Sequence, residues 1–236
     1  MASQLKSVVR KIIVFGVDNL FGEEVVSGLA EEGNSLILCG ENRNRQQKLI
    51  DRHPDSVMGV CSRENREYHK QVQVTIESQG SLDAVVYLIN PVSGHCFFEQ
   101  SDTEIQDAFN RNLVEPVLML KAIFPYLKKS ADCKVIFVDT VAFLSGVTAT
   151  EIQEASTHGV FGFCDSIKNE MQGRGVDIRA ITSPKQLEKR LSRDNSSETE
   201  VISYCSQITK KIQDVMRSAV AMQGGGGSIP LSSELH

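Results

Sequence analysis

The sequence predicts a single α/β domain with a doubly wound parallel sheet, and three observations lead there. Apolar runs of strand length recur along the chain, at residues 12–15, 35–39, 57–61, 84–89, 134–138 and 177–181. Helical patterns at 20–32, 43–51, 64–79, 102–129 and 151–173 separate them, and such alternation builds parallel strands joined by helical crossovers. The runs are apolar throughout rather than at every second residue, as strands covered on both faces require.

The first run passes through the turn GVDNLFG, with Gly16 and Gly22 flanking Leu20, into a helix that Asp18 or Asn19 can cap. Such a cap stabilises a helix by about 1 kcal/mol. In the stretch 102–129, Ile105, Phe109, Leu113, Val117, Leu120 and Phe124 form one apolar stripe, as a core-facing helix should. Pro116 interrupts it: proline has no N–H to offer the carbonyl of Asn112, so a local kink is expected. The stretch 151–173 stacks Ile152, Ala155, Ser156, Gly159, Val160, Phe163 and Ile167. Its small residues allow close approach of another helix, either within the domain or in a second subunit. A last helix is expected over 200–221, with Val201, Ile208, Ile212, Val215 and Met216 apolar.

Composition narrows the function. The chain has 236 residues, 41% of them hydrophobic, enough for a substantial core. Its net charge of −5 argues against a nucleic-acid surface; the most basic stretch, KQLEKRLSR at 185–193, reads as a solvated face. The longest apolar run, 84–89, is far too short to cross a bilayer. Six scattered cysteines without a C-x-x-C pair signal neither zinc nor a disulfide framework. With no leader segment apparent, they lead us to expect an intracellular protein of the cytoplasm or nucleus.

Five stretches in order, over residues 10–184, together resemble the short-chain dehydrogenase/reductase family. GVDNLFGEEVVSGLAEEG falls on the family's first turn and helix, usually T-G-x-x-x-G-x-G; LDAVVYLIN falls on the strand that normally ends in N-N-A-G. FNRNLVEPVLMLKAIFPYL is similar to the fourth crossover helix, with Asn112 on the active-site asparagine; CKVIFVDTVAFLSG resembles the strand delivering the catalytic serine; GVFGF matches the helix after Y-x-x-x-K. The resemblance implies a Rossmann-like fold and hydride transfer between a nicotinamide and a carbonyl or alcohol. In the family a tyrosine acts as acid/base, a lysine lowers its pKa, and a serine positions the substrate. A tyrosine with its ordinary pKa near 10 is a poor base at neutral pH, so the neighbouring positive charge is what makes it usable.

Carried onto this chain, those positions change. The tyrosine position falls on Gln153 and the lysine position on Thr157, while Thr140 stands where serine is expected. Residues 135–167 contain no tyrosine, lysine or arginine, so no shift of register restores the pair. His158 is the nearby group able to carry a proton at neutral pH. Leu20 replaces the second glycine of the phosphate turn, Asp18 adds a negative charge near it, and Glu41 only approximates the ribose-binding acid. The turn after the fourth strand reads Ile89, Asn90, Pro91 and Val92. Gly16, Leu20, Gly22, Glu41 and Asn90 are therefore read as vestiges of a cofactor site, with no cofactor expected.

Against the family pattern, the seventh strand is expected to be short or missing, leaving an open edge near Asp177, Arg179 and Ile181. The chain is read as one domain over 1–223, a flexible GGGGS linker at 224–228, and a tail at 229–236. The linker is either engineered, carrying a grafted partner peptide, or part of a native tail; in the first case Ile229, Pro230 and Leu231 would lie along that edge. The expected function is a catalytically inactive adaptor or scaffold that binds protein partners and dimerises through helices 102–129 and 151–173. The alternatives are an NAD- or metabolite-binding sensor, and an atypical oxidoreductase using Thr140, Asn112 and His158.

Overall fold

The computed structural model describes residues 9–90, 97–128, 132–140, 151–181 and 198–218. Six strands form one all-parallel sheet in the order β3-β2-β1-β4-β5-β6: β1 (Lys11–Phe15), β2 (Ser35–Gly40), β3 (Val57–Ser62), β4 (Ala84–Ile89), β5 (Cys133–Asp139) and β6 (Val176–Ile181). Among the described residues β6 ends the sheet.

Each strand feeds two cores at once. In β1, Ile12 and Val14 join one core with Val25, Leu29 and Ile208, while Ile13 and Phe15 join the other with Val72, Ile123 and Val160. The pleat sends successive side chains to opposite faces, so a strand buried on both sides reads as an unbroken apolar run. Helices α1 (Leu20–Glu31), α2 (Arg43–Arg52) and α7 (Glu198–Arg217) supply the first core; α3 (Tyr68–Gln79), α5 (Glu115–Ile123) and α6 (Glu151–Gly173) supply the second. α7 lies close on α1: a Cβ on Gly28 would come within 2.4 Å of the Thr209 side chain, and Gln213 donates to the Gly28 carbonyl at 2.8 Å.

The stretch expected as one kinked helix is divided in four, the last piece a 3-10 turn at Phe124–Tyr126. α4 (Asp102–Phe109) begins with a capping box between Ser101 and Glu104, a π-turn covers Asn110–Val114, and α5 takes Pro116 into its first turn, where no N–H is needed. The break takes its form from the backbone of Glu115, whose N–H reaches five residues back to the Asn110 carbonyl.

One buried charge cluster has no forerunner in the sequence reading. Lys134 in β5 and Asp177 in β6 are register partners with fully buried side chains 3.3 Å apart, and Arg179 donates to Asp177 at 2.9 Å. Asp177 is thus turned into the structure rather than presented along the β6 edge. The tail Ile229, Pro230 and Leu231, expected against that edge, lies outside the described residues.

Candidate functional site

The strand order reverses at β1, between β2 and β4, and doubly wound sheets place their sites in the crevice outside the carboxyl ends of such strands. A cavity of about 240 Å³ opens there, lined among others by Gly16, Asn19, Glu41, Arg63, Tyr87 and Asn112. Its floor includes Phe15 and Tyr87, whose rings stack at 4.8 Å.

The first turn is fixed by its glycines. Gly16 has φ +83°, and a Cβ on it would stand 2.3 Å from the Leu88 carbonyl oxygen; a Cβ on Gly22 would stand 2.8 Å from Val17 Cα. These two glycines serve strand–helix geometry. Of the two candidate caps, Asn19 is the one used: its Oδ1 accepts from the Gly22 N–H at 2.9 Å, and its Nδ2 donates to Asn90 Oδ1 at 2.8 Å. Asn90 in turn donates to the Gly16 carbonyl at 3.0 Å. Leu20 projects from the start of α1 and is half-exposed. Pro91 and Val92 lie outside the described residues.

Asp18, immediately before the cap, lines the crevice but does not itself cap the helix. Its Oδ1 accepts from the backbone N–H groups of Glu41 and Asn42 at 2.7 and 2.8 Å, and a Cβ on Gly40 would fall 2.4 Å from it. Asp18 therefore ties the β2 exit to the first turn. Burial pushes its carboxyl pKa above the ordinary range, and the two backbone hydrogen bonds offset part of that rise.

Glu41 is held as well. Its Oε1 lies 3.2 Å from Arg111 Nη1 and 3.6 Å from Arg63 Nη1, while Arg63 uses its other terminal nitrogen to pair with Glu115. The sequence reading missed this web, because its members come from the β2 exit, the β3 exit, the π-turn and α5.

At the positions matched to catalysis, four polar side chains close on one another. Asn112, 3% exposed in the π-turn, donates to Gln153 Oε1 at 2.9 Å and to Ser156 Oγ at 3.2 Å. Gln153 donates to Thr157 Oγ1 at 3.3 Å, and Ser156 to the Gln153 carbonyl at 2.8 Å. Gln153, Ser156 and Thr157 are all buried on the inner face of α6. The small-residue face of α6 is used inside the domain: a Cβ on Gly159 would stand 2.9 Å from Leu113, leaving Ala155 exposed. Thr140 is fully buried and gives its hydroxyl hydrogen to the Ile89 carbonyl at 2.6 Å. His158 is exposed, with Nδ1 2.8 Å from the Glu154 carbonyl, so the relay of Thr140, Asn112 and His158 is not assembled.

The phenols at the crevice, Tyr68 and Tyr87, both have their pKa pushed up, chiefly by burial. That is the opposite of what a phenolic base needs. Among the described residues no group of histidine, cysteine, aspartate and glutamate could hold a metal ion, and no helix is long and apolar enough to cross a membrane.

Comparison with known proteins agrees with the fold. The 3-oxoacyl-acyl-carrier-protein reductase FabG of Vibrio cholerae is 22% identical over 219 residues, spanning 92% of this chain and 82% of that protein. An uncharacterized oxidoreductase of Staphylococcus epidermidis is 19% identical over 172 residues, covering 72% of this chain and 75% of its own. A metagenomic short-chain oxidoreductase in complex with NADP superimposes with a TM-score of 0.70 at 15% identity, over 95% of this chain and 98% of that one. An NADPH-bound short chain oxidoreductase from Pseudomonas aeruginosa PAO1, described as containing an atypical catalytic center, gives 0.68 at 16% identity, over 88% and 89%. The short chain dehydrogenase family model matches residues 10–200, and the chain belongs to that family.

Proposed function

We propose that this protein is a non-catalytic member of the short chain dehydrogenase family that works by binding other proteins, as an adaptor or scaffold, and that it forms a homodimer through α4, α5 and α6. The observation that carries the reading is the buried network of Asn112, Gln153, Ser156 and Thr157. It stands where the resemblance requires a phenol beside an ammonium group, and it joins amide and hydroxyl groups instead.

A nicotinamide dinucleotide does not fit the crevice. A pyrophosphate needs the N–H groups at the start of α1, and the Asn19 side chain already holds that of Gly22, with Leu20 in place of the second glycine. Glu41, matched to the ribose-binding acid, is engaged by two arginines.

Protein binding is supported by exposed apolar side chains. Val114 and Leu118, four residues apart on the π-turn and α5, are 43% and 50% exposed. The tail segment Ile229, Pro230 and Leu231 remains a candidate ligand for a sheet edge, in this chain or a partner. A metabolite-binding sensor is the second reading, favoured by the cavity of about 240 Å³.

The test is a turnover assay of the purified full chain with NADH and NADPH against a panel of aldehydes and ketones, run beside sedimentation velocity. The proposal expects no reduction above the no-enzyme rate and a dimer at micromolar concentration. Cofactor-dependent turnover would overturn it.

A further inference from the structure

Two thiols meet across the outermost strand pair of the sheet. Cys39 in β2 and Cys61 in β3 are register partners on neighbouring parallel strands, and both side chains enter the core that α3 covers. Neighbouring strands run about 4.8 Å apart, inside the Cα separation of about 4.4–6.8 Å that a disulfide requires. All of α2 lies between the two cysteines in the chain, so their pairing is set by strand register. Cys61 Sγ lies 3.5 Å from Thr75 Oγ1, and Cys39 is hydrogen-bonded to Tyr68, whose side chain lines the crevice. The two thiols are not equivalent. The hydrogen bond from Cys39 brings the Cys61 thiol down, while burial pushes that of Cys39 up, so Cys61 is the readier nucleophile.

We infer that Cys39 and Cys61 form a dithiol site that a peroxide oxidises to an intrachain disulfide, tying the edge strand β3 to β2 beside the crevice. The Cys61 thiolate attacks one peroxide oxygen and the O–O bond breaks. Cys61 becomes a sulfenic acid, and the other oxygen takes up a proton and leaves as water. The Cys39 sulfur then attacks the Cys61 sulfur, the S–O bond breaks, and a second water leaves with the Cys39 proton. The two thiols lose two electrons and the peroxide gains them. Both side chains are buried, but β3 has a neighbour on one side only. An edge strand opens locally more readily than an interior one, and that opening admits a small oxidant. The inference rests on strand register; cofactor turnover by the wild type would overturn the earlier proposal without touching this one.

The experiment exposes the folded full-length protein to hydrogen peroxide, alkylates the remaining thiols in denaturant and maps the peptides by mass. The expected product is a pair of peptides joining Cys39 to Cys61, about 2 Da lighter than its reduced halves together and separated by dithiothreitol. Cys133, Cys164 and Cys205, also buried free thiols, are recovered alkylated. Amides of β3 exchange with deuterium at least about tenfold more slowly in the oxidised protein than in the reduced one. Cys39→Ser lacks the sulfur that completes the bridge and accumulates sulfenic acid on Cys61, trapped by dimedone, whereas Cys61→Ser leaves Cys39 as a thiol. The wild-type mapping needs no variant and carries the test if either serine variant fails to fold. Recovery of Cys39 and Cys61 as thiols at peroxide levels that oxidise the unfolded chain, a bridge from either to another cysteine, equal β3 exchange in the two forms, or sulfenic acid trapped on Cys39 in place of Cys61 would overturn the inference.

Discussion

Asn112 and Gln153 hold each other directly: Asn112 Nδ2 donates to Gln153 Oε1 at 2.9 Å, with both side chains buried. One lies in a π-turn, the other on the inner face of α6, and the bond pins these elements together at the edge of the crevice. An amide pair is a structural fastener; neither partner titrates in the range where a proton could be exchanged with a substrate.

Removing the fastener should therefore cost stability. Gln153→Ala leaves the Asn112 amide with only Ser156, and Thr157 without its donor. Urea unfolding is expected to show a loss of about 1–3 kcal/mol, the usual penalty for orphaning a buried polar group. A change below a few tenths of a kcal/mol would mean that the network carries no strain-free bond worth keeping.

The glycines of the first turn and of the α1–β2 connection separate two effects. Gly16 and Gly33 share the left-handed backbone region, at φ +83° and +81°, but only Gly16 has a carbonyl in the way, whereas nothing lies within 4 Å of a Cβ on Gly33. Gly33→Ala should lose about 1 kcal/mol, the conformational penalty alone. Gly16→Ala adds a backbone clash and should lose well over about 3 kcal/mol or fail to fold. Comparable losses in the two variants would contradict the packing described for the turn.

Asp18 gives a pH signature. Its folded pKa is raised above the ordinary 3.8, mainly by burial, so its contribution to stability is fully present below pH 3.8 and declines as pH rises through the folded value. Asp18→Asn keeps an oxygen for the Glu41 and Asn42 N–H groups and removes the charge. Its stability relative to wild type should match near pH 3 and then improve as pH rises toward neutrality, by less than about 1 kcal/mol since solvent screens part of the effect. Chemical unfolding at pH 3 and pH 7 measures the difference; a variant less stable than wild type at pH 7 would reverse the sign.

The proposed dimer face is tested by Leu118→Glu. Leu118 is exposed, so the folded monomer should tolerate the charge, while a dimer built over α5 would not. Sedimentation velocity is expected to show the variant as a monomer at concentrations where the wild type is a dimer, with unchanged circular dichroism. A dimeric variant would place the interface elsewhere.

The sheet and its helices were legible because burial on both faces leaves unbroken apolar runs, and β1, β4 and β5 each sit within a residue of where those runs lie. The glycine turn was legible for the same local reason. Pro116 announced a break, but its form depends on a backbone bond from Glu115 to Asn110 that no side-chain pattern encodes. Asp18 and Asn19 were equally good caps by composition; only the approach of the β2 exit, which claims Asp18, decides between them. The Glu41, Arg63 and Arg111 convergence and the buried Lys134–Asp177 pair join residues distant in sequence, so they became visible only with the topology. His158 looked available because it is adjacent to Thr157, yet one step along a helix turns a side chain by about 100°, here from the interior to solvent.

On the proposed reading this crevice, though it stands at the switch point of a Rossmann-like sheet, takes no dinucleotide. Calorimetric titration of NADPH and of NADH into the full-length chain measures it directly. Heats indistinguishable from dilution are expected at cofactor concentrations up to the millimolar range. A saturable isotherm with micromolar affinity for either one, lost on Gly16→Trp, would contradict it.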